Sequence, residues 1–404
     1  MKQTRSNTPN YLKYLNSKKI LQFIRDNEQT SRADIAAMLA ISKPTVSSIV
    51  DELISEEWVL EKEGSESSVL GGRKPVLLTF NQNARLIVGV DIGGTNIEVG
   101  IVNAYGTIIG RKVLSTQYAL KKDLVYEAFL AIQSLVQTYN IDKNKIMAVG
   151  VGAPGITDSD NGVVLDAPSL GWKNFELKKE LQQLLELPVY VENDVNVAVL
   201  GEQWKGKAKN ADHLILITLG TGVGCGIIVN GQLYRGASFA AGEIGYMVTD
   251  KNEALEDYDH IFQGFGFLDS HVGGPSIVKR MEQKLATLTD SHPLKNKELS
   301  AKLIFEHAIT HDPIATEVIE ETLEHIAFAL VNVICIFNPQ CVILGGGLSK
   351  SGQWFLPKVK AVIEKHLPMN TDIYISEIDG LSLLGAGALV LREHESLLNN
   401  RGGN

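Results

Sequence analysis

The stretch LIVGVDIGGTNIEVGIV, residues 86–102, reads as two apolar strands separated by an aspartate, two glycines and a threonine. Glycine has no side chain to shield its amide, so the N–H groups of Gly93 and Gly94 and the Thr95 hydroxyl can donate hydrogen bonds to phosphate oxygens. Asp91, at the end of the first strand, can hold magnesium through water. The stretch therefore predicts a strand–turn–strand loop that binds phosphate.

Two later stretches repeat this plan. LILITLGTGVGCGIIVNG, residues 214–231, is again a strand, a glycine-rich turn and a strand, and CVILGGGLSK, residues 341–350, places a third glycine cluster after a strand. Glycine in a tight hairpin usually serves the turn alone, so neither hairpin is decisive by itself. Together they favour phosphate binding and indicate a duplicated α/β domain with a nucleotide between its halves. The additional predicted phosphate-binding residues are Gly220, Thr221, Gly222, Gly345 and Gly346.

Composition is that of an ordinary globular protein. With 404 residues and 44% hydrophobic residues, the chain is long enough for two or three domains. Its longest apolar stretches are shorter than the ~18 to 20 residues that a membrane span needs, and MKQTRSNTPN at the N-terminus has no apolar signal core, so we expect a cytoplasmic protein without a membrane partner. The three cysteines, Cys225, Cys335 and Cys341, lie in apolar runs. We expect buried reduced thiols and neither a disulfide framework nor a cysteine-rich zinc site.

Charge is unevenly distributed along the chain. Residues 1–47 contain eight Lys and Arg against three Asp and Glu, a net charge of +5, whereas the whole chain carries −9. A basic segment on an acidic body is the pattern expected when one module meets phosphates and the rest does not. The N-terminal segment is therefore predicted to bind a polyanion.

The N-terminal segment has the pattern of a helix-turn-helix. Residues 16–27 predict a first helix capped by Asn16 or Ser17, SRADIAAMLA (31–40) predicts a second helix, and Ser42 starts a third with Pro44 in its first turn. Small polar groups and one cation at the start of the third helix suit base edges and phosphates in a major groove. These candidate DNA contacts are Ser42, Lys43, Thr45, Ser47 and Ser48, to which we add Arg32.

A two-stranded wing is predicted after the third helix. VLEKEGSESSVLGGRKPVLLTF, residues 59–80, alternates, breaks at a glycine and returns to an apolar strand. Gly72 lets the backbone approach DNA closely, and Arg73, next to Lys74, can enter a narrow minor groove. The alternative is a helical protein-interaction module with a solvated hairpin. The order of three helices and a wing, together with the basic charge, favours DNA binding.

The motifs together carry a resemblance to one family. DIGGTN (91–96), VGAPGITD (151–158), END (192–194), LGTGVG (219–224), GEIGY (242–246) and LGGG (344–347), read with the helix-turn-helix and GGRKP, resemble the ROK family of repressors and sugar kinases. The N-terminal domain is similar to that of the family's repressors, xylose and N-acetylglucosamine repressors among them.

The resemblance implies an architecture and a way of working. It implies an α/β fold with an N-terminal winged helix-turn-helix, residues 1–80, followed by a duplicated actin/hexokinase-like (ribonuclease H-like) two-lobed domain, residues 81–404, with lobes at about 85–200 and 201–404. It also implies a homodimer or homotetramer, a monosaccharide or its derivative in the cleft between the lobes, and DNA affinity controlled by that ligand.

The same resemblance assigns sugar contacts. Asp194 stands where ROK kinases keep the base that takes the proton of the sugar hydroxyl, and Asn193 beside it can bind an adjacent hydroxyl. Glu243 and Tyr246 of GEIGY, and Asp269 of GFLDSHVGGPSI, match further sugar-binding positions. A carboxylate at the start of a helix also suits the helix dipole, so Asp194 can be a helix cap, and the two roles are compatible.

Two departures from the family pattern weaken the kinase reading. Tyr246 replaces a histidine that binds both sugar and a structural zinc in the family, and the loop at 250–274 contains no cysteine. His260 and His271 among scattered acids do not make a soft tetrahedral site, so we expect no zinc and no other metal ligands. Asp269 is one methylene shorter than the family's glutamate, which suggests an altered ligand preference.

Three functions remain open from the sequence. The favoured one is a sugar-responsive transcriptional repressor that binds operator DNA and requires no cofactor. The second is an ATP-dependent sugar kinase with an added DNA-binding domain, which would need ATP and Mg²⁺ and use Asp194 as its base. The third is a DNA-binding protein whose cleft serves only dimerisation.

Overall fold

A computed structural model describes residues 9–63, 76–255, 266–288, 291–394 and 396–398. The first unit comprises α1 (Pro9–Asp26), α2 (Arg32–Leu39), α3 (Lys43–Ser55) and an antiparallel hairpin of β1 (Val59–Glu63) and β2 (Val76–Phe80). The predicted winged helix-turn-helix is confirmed. The wing tip, with Gly72, Arg73 and Lys74, lies outside the described residues.

Two of the predicted helix starts are confirmed and one is wrong. The hydroxyls of Ser31 and Ser42 accept hydrogen bonds from the amides of the third helical residues, at 3.2 and 3.3 Å. The first helix begins at Pro9, so neither Asn16 nor Ser17 is its cap. The hydroxyl of Ser17 instead donates to the Lys13 carbonyl one turn earlier, a local bond that a polar residue inside a helix can make.

The remaining chain forms two five-stranded sheets. The first part contains β3 (Leu86–Ile92), β4 (Asn96–Asn103), β5 (Ile108–Ser115), α4 (Thr116–Leu120), α5 (Leu124–Thr138), β6 (Ile146–Ala153), β7 (Ile156–Asp158), β8 (Val163–Ala167), β9 (Trp172–Phe175), α6 (Leu177–Leu185), β10 (Val189–Asn193) and α7 (Asp194–Lys205). The second part contains β11 (Leu214–Leu219), β12 (Val223–Val229), β13 (Gln232–Leu233), α8 (Lys251–Leu255), α9 (Phe267–Val272), α10 (Gly274–Thr287), α11 (Ala301–Ile309), α12 (Pro313–Phe337), β14 (Cys341–Gly345), α13 (Gly352–His366), β15 (Asp372–Ile375) and α14 (Leu381–Glu393).

The two sheets share one topology. Their strand orders are β10-β6-β3-β4-β5 and β13-β12-β11-β14-β15, with β7, β8 and β9 forming a separate small sheet. Counted along the chain, the first strand of each sheet pairs antiparallel with the second and parallel with the fourth, and the fourth pairs parallel with the fifth. The first strands in this sense are β3 and β11. The central strands are nearly continuous apolar runs because helices cover both of their faces. The duplicated two-lobed domain is confirmed.

Helices α7 and α14 pack against each other between the sheets. α7 contacts β11 and β12 of the second sheet and also β6 and β10 of the first, and α14 contacts β3, β4 and β6 of the first. Glycines allow this close approach, since a Cβ added to Gly201 in α7 would lie 2.6 Å from the Leu381 carbonyl oxygen at the start of α14. The chain therefore returns to the first lobe at its end, and a division at residue 200 does not follow the packing.

The winged unit shares a hydrophobic core with the two-lobed domain. Leu78 and Trp58 of the winged unit belong to the same buried cluster as Ile87 of β3 and Val390 and Leu391 of α14. The Lys145 ammonium lies 2.9 Å from a carboxylate oxygen of Glu57 across this junction. A displacement of α14 would therefore shift side chains that pack against the winged unit.

The cysteines agree with expectation in part. All three are free, and Cys225 and Cys341 are buried, but Cys335 is exposed. Cys335 lies near the end of α12, where the neighbouring Ile336 is also 71% exposed. The apolar run around Cys335 belongs to a helix that is buried along one face only, so the expectation of burial is wrong for this thiol.

Within the described ranges, no helix is long and apolar enough to cross a membrane.

Candidate functional site

A cleft of about 390 Å³ lies where the two glycine-rich hairpins and the start of α7 meet. It brings together residues that are up to 178 positions apart in the sequence and that the motifs had singled out separately. The predicted site residues that line it are Asp91, Gly93, Gly94, Asn193, Asp194, Gly220, Thr221, Gly222, Glu243 and Asp269.

Four other predicted site residues are not among those that line the cleft. Thr95 lies in the first hairpin turn but is exposed, and the Tyr246 side chain is 57% exposed. Gly345 and Gly346 stand at the end of β14. At Gly346 φ is +86°, and a Cβ there would collide with the backbone of Leu219. This glycine is therefore required by a close approach of two backbones, a structural reason that is independent of phosphate.

The first hairpin offers fewer free amides than its sequence suggests. The Gly93 amide donates to the Asn96 carbonyl at 2.9 Å, which closes the turn, and the Gly220 amide of the second hairpin donates to the Gly222 carbonyl at 3.0 Å. The expectation of a bare Gly93 amide is thus wrong for this conformation. Nothing lies within 4 Å of a Cβ placed on Gly220, so the backbone there is open to a ligand.

Asn193, and not Asp194, caps α7. Its side-chain oxygen accepts from the amides of Val195 and Asn196 at 2.9 and 3.0 Å, and its side-chain amide donates to the Gly155 carbonyl at 3.0 Å. The side chain of Asn193 is thereby fixed by backbone groups, and the second hydrogen of its side-chain amide remains for a ligand in the cleft. Asp194 occupies the first helical position, and its carboxylate accepts from the Val195 amide at 2.9 Å.

Asp91 and Asp194 face the same place from the ends of β3 and β10, the two strands that flank β6. A Cβ added to Gly152 of β6 would lie 3.4 Å from Asp91 Oδ1 and 3.3 Å from Asp194 Cα. Burial, and then the charge of Asp91, raise the pKa of Asp194 to about 7. Burial raises the pKa of Asp91 to about 6, although a hydrogen bond from Ser382 opposes this. A carboxyl with a pKa near neutrality is suited to exchange a proton with a hydroxyl.

Glu243 and Asp269 add two more carboxyls to the cleft. Burial raises the pKa of Glu243, and the neighbouring Asp269 raises it further. Asp269 is held from both sides, because its two oxygens accept from the amides of Val223 at 2.7 Å and Gly266 at 3.0 Å. Each carboxylate oxygen has a second lone pair, so Asp269 can still accept a hydrogen bond from a sugar hydroxyl.

The carboxylates of the cleft decide which metal ion it could hold with a nucleotide. Carboxylate oxygens are the ligands that Mg²⁺ prefers, and the raised pKa values of Asp91 and Asp194 show that a positive charge beside them would be stabilising. The donor set therefore fits a hydrated Mg²⁺. The family's zinc does not fit, because Tyr246 stands in place of its histidine and residues 247–273 contain no cysteine.

The side chains that the sequence predicts to contact DNA lie at the start of α3 and on α2. Lys43 and Ser48 at the start of α3 are exposed, and Ser47 is partly exposed. Ser42 and Thr45 share a hydrogen bond of 2.7 Å between their hydroxyls. Arg32 is paired with Asp51 and Glu61, each at 2.8 Å. A DNA phosphate would have to compete with these two carboxylates for Arg32.

The sequence analysis missed a buried ion pair. Glu192, the first residue of END, is 1% exposed, and its carboxylate accepts from Arg235 Nε at 2.6 Å. Arg235 follows β13 of the second sheet, whereas Glu192 is the last residue but one of β10 in the first, so the pair joins the two lobes. A charged residue in an otherwise apolar strand was the signal for Glu192, but its partner 43 residues later is set by the fold.

Replacing Asp194 by asparagine is expected to stabilise the protein more at high pH than at low pH. The folded-state pKa of Asp194, about 7, is above the ordinary value of 3.8, so ionisation in the folded state is penalised and stability falls as the pH rises from about 4 toward 7. Asparagine removes this penalty. The gain in free energy of unfolding should be larger at pH 8 than at pH 5 by about 2–3 kcal/mol.

Thermal unfolding of both chains at pH 5 and pH 8 measures this difference. Asp158→Asn is the matched control, because hydrogen bonds from Asn161 lower the pKa of Asp158 and its carboxylate stays ionised at both pH values. A gain from Asp194→Asn that is equal at the two pH values would contradict the raised pKa.

Comparison with known proteins identifies the family and agrees with the fold. The ROK family model matches residues 87–393, and a winged helix-turn-helix DNA-binding model matches residues 15–59. The chain is 31% identical to the xylose repressor of Caldicellulosiruptor bescii, over 95% of this chain and 96% of that protein. It is 32% identical to a glucokinase of Halalkalibacterium halodurans, over 78% and 97%. The crystal structure of a ROK family transcriptional regulator, a homologue of the E. coli MLC protein, superposes with a TM-score of 0.78 at 22% identity, covering 94% of this chain and 96% of that one. The chain belongs to the ROK family.

Proposed function

We propose that this protein is a sugar-responsive transcriptional repressor of carbohydrate-utilisation genes, with a monosaccharide or its derivative in the cleft controlling its affinity for operator DNA. The observation that carries the proposal is the course of α14. This helix begins at the cleft, where Ser382 hydrogen-bonds to Asp91. Toward its other end, Val390 and Leu391 are buried in the core shared with the winged unit. One rigid element therefore touches both the ligand and the DNA-binding unit.

A ligand must favour one arrangement of the lobes for this link to act as a switch. Closure of the cleft around a sugar would move α7, which begins at the cleft, and with it α14, which packs along α7. To change a 1:99 equilibrium into 99:1, the sugar must bind the closed arrangement about 10⁴-fold more tightly. Several carboxyls that contact hydroxyls only after closure are a physical source of such a difference.

The polar lining of the cleft suits a polyol. Asp194, Glu243 and Asp269 present carboxyl groups from three different elements, and carboxylates accept hydrogen bonds from hydroxyl groups. Relatives that span 95% of this chain are named xylose repressors, so xylose is the first ligand to test. We further infer a cytoplasmic homodimer that binds a pseudo-palindromic operator, since paired helix-turn-helix units read two half-sites.

A sugar kinase is the second candidate. The observation in its favour is the pair of carboxyls at Asp91 and Asp194, with Asp194 near neutrality in its pKa. As a kinase, Asp194 would take the proton of the attacking sugar hydroxyl, and ADP would leave as the phosphoryl group passes to that oxygen. Asp91 would hold hydrated magnesium, which would supply positive charge to the phosphates. The glucokinase relative supports this candidate, but it matches only 78% of this chain, whereas the xylose repressor matches 95%.

The test is a titration of a protein–DNA complex with sugar. Duplexes selected by the full chain from a random pool are labelled, and their binding is followed by fluorescence anisotropy at fixed salt while xylose, glucose or N-acetylglucosamine is added. We expect one sugar to weaken DNA binding by at least about ten-fold, a coupling that is ordinary for allosteric proteins. Asp194→Asn should retain DNA affinity without sugar and lose the response, whereas Asp158→Asn should retain both.

The same samples separate the two candidates. Release of ADP in the presence of sugar, ATP and Mg²⁺ that disappears in Asp194→Asn would establish the kinase. A sugar response that is unchanged in Asp194→Asn would refute the placement of the ligand in this cleft. No response to any sugar would leave a DNA-binding protein whose cleft does not regulate it.

A further inference from the structure

A cluster of two histidines and a glutamate lies outside the residues that line the cleft. Glu253 belongs to α8, His271 to α9 and His325 to α12. One ligand atom of each side chain lies within 4.8 Å of the other two. Both histidines are buried, whereas Glu253 is about half-exposed. Three separate elements thus direct metal-binding groups at one point that solvent can reach past Glu253.

The hydrogen bonds of His271 leave one nitrogen directed at the glutamate. Nδ1 lies 2.7 Å from the Phe267 carbonyl oxygen, which can only accept, so Nδ1 carries a proton. Nε2 lies 3.0 Å from a carboxylate oxygen of Glu253. A neutral ring would place two lone pairs against each other at this distance. Either a proton or a metal ion must therefore lie between them.

His325 completes the group from the other side. Its ring centroid is 4.2 Å from that of His271, and its Nδ1 is 2.6 Å from the Thr249 hydroxyl, which can accept a proton from it. Metal-binding histidines ordinarily donate their other ring N–H to a protein oxygen, which orients the ring. Both histidines have such a partner. The nearby Arg280 cation is already paired with Glu321 at 3.1 Å.

We propose that Glu253, His271 and His325 bind a divalent transition metal ion of the zinc class. Bonds of about 2.0–2.1 Å in a tetrahedral site place neighbouring donor atoms about 3.3 Å apart. The His271–Glu253 separation is already close to this value, and rotations of side chains at the cluster can bring the remaining atoms from 4.8 Å to it. Two imidazoles and one carboxylate leave a fourth position for water, as in open zinc sites.

The ion would join elements that border the sugar site. His271 follows Asp269 by two residues on α9, and Asp269 lines the cleft. A metal at the cluster would fix α9 against α8 and α12, and so hold the backbone that positions Asp269. These three ligands differ from the cysteines and histidine of the family's zinc site. The family pattern, applied to the loop sequence, therefore predicts no metal here.

The experiment is a zinc titration of the full chain after removal of metal with a chelator. We expect isothermal titration with ZnCl₂ to give one site per chain. His325→Gln and His271→Gln should each weaken zinc binding by at least about ten-fold, a loss of the size seen even for outer-shell partners of metal ligands. His366→Gln is the matched control, because His366 is an exposed histidine on α13 and its loss should leave zinc affinity unchanged.

Two further measurements guard against a misfolded variant. Glu253→Gln alters a half-exposed side chain and should also weaken zinc binding while circular dichroism stays unchanged. Cobalt bound to the unaltered chain should show the visible bands of a tetrahedral site without a thiolate charge-transfer band. A thiolate band, an affinity that is unchanged in all three cluster variants, or no binding of zinc to the unaltered chain would overturn the proposal; the last result would leave His271 and Glu253 as a hydrogen-bonded pair.

Discussion

Replacing Gly385 by alanine is expected to lower the free energy of unfolding of the two-lobed domain by at least about 3 kcal/mol. Gly385 lies in α14 opposite the carbonyl group of Val197 in α7, and a Cβ there would lie far inside van der Waals contact with that oxygen. A backbone oxygen cannot rotate away as a side chain can. The two helices would have to separate, and the sheets that they cover would lose packing. The shift of the urea midpoint, followed by circular dichroism, measures the loss.

Gly347→Ala is the control for this substitution. Nothing lies within 4 Å of a Cβ at Gly347, and its φ of −63° and ψ of −38° are ordinary helical values. The added methyl group should change stability by less than about 1 kcal/mol and in the stabilising direction, because alanine restricts the unfolded chain. Equal midpoints for the Gly385 and Gly347 variants would mean that α7 and α14 are not packed as tightly as described.

The parts of the fold that the sequence predicted are those governed by local patterns. The hairpin around Asp91 and its repeat at 214–231 are recognisable because two apolar runs flank a glycine turn, and each run is long enough to be a strand. Ser31 and Ser42 were identified as caps because a hydroxyl before an apolar-periodic segment has one common use. These features depend on residues a few positions apart.

One error lies where two neighbouring residues compete for one role. Asn193 and Asp194 can both cap a helix, and the sequence does not say at which of them the helical backbone begins. The structure assigns the cap to Asn193 and leaves the Asp194 carboxyl for the cleft. Gly93 is a similar case, since its amide closes the turn that the glycines make possible.

The features that escaped the sequence analysis all depend on contacts between distant elements. The return of α14 to the first sheet, and the meeting of Glu253, His271 and His325, are consequences of the tertiary fold. No local periodicity encodes them. A lone buried-strand glutamate or a lone helical histidine has many structural explanations, and only the partner decides among them.

Replacing Arg235 by glutamine is expected to lower the free energy of unfolding by about 3 kcal/mol, because it leaves a buried carboxylate without its counter-charge. Glu192 is 1% exposed, and the donors that remain to it are neutral, the amide of Asn193 and the side chain of Asn196, both at 3.0 Å. Glu192→Gln should lower the free energy of unfolding by less than Arg235→Gln does. The guanidinium that it leaves behind is 25% exposed and still lies 3.6 Å from Glu393.

The double variant Glu192→Gln/Arg235→Gln makes the asymmetry measurable. Because it carries no buried charge at this position, it should be more stable than Arg235→Gln alone, although it lacks the ion pair entirely. Urea midpoints of the two single variants, the double variant and the unaltered chain give the coupling free energy. If the double variant loses as much free energy of unfolding as the two single variants lose in total, Glu192 and Arg235 act independently. In that case the ion pair does not join the lobes, and a sugar need not work against it when it shifts them.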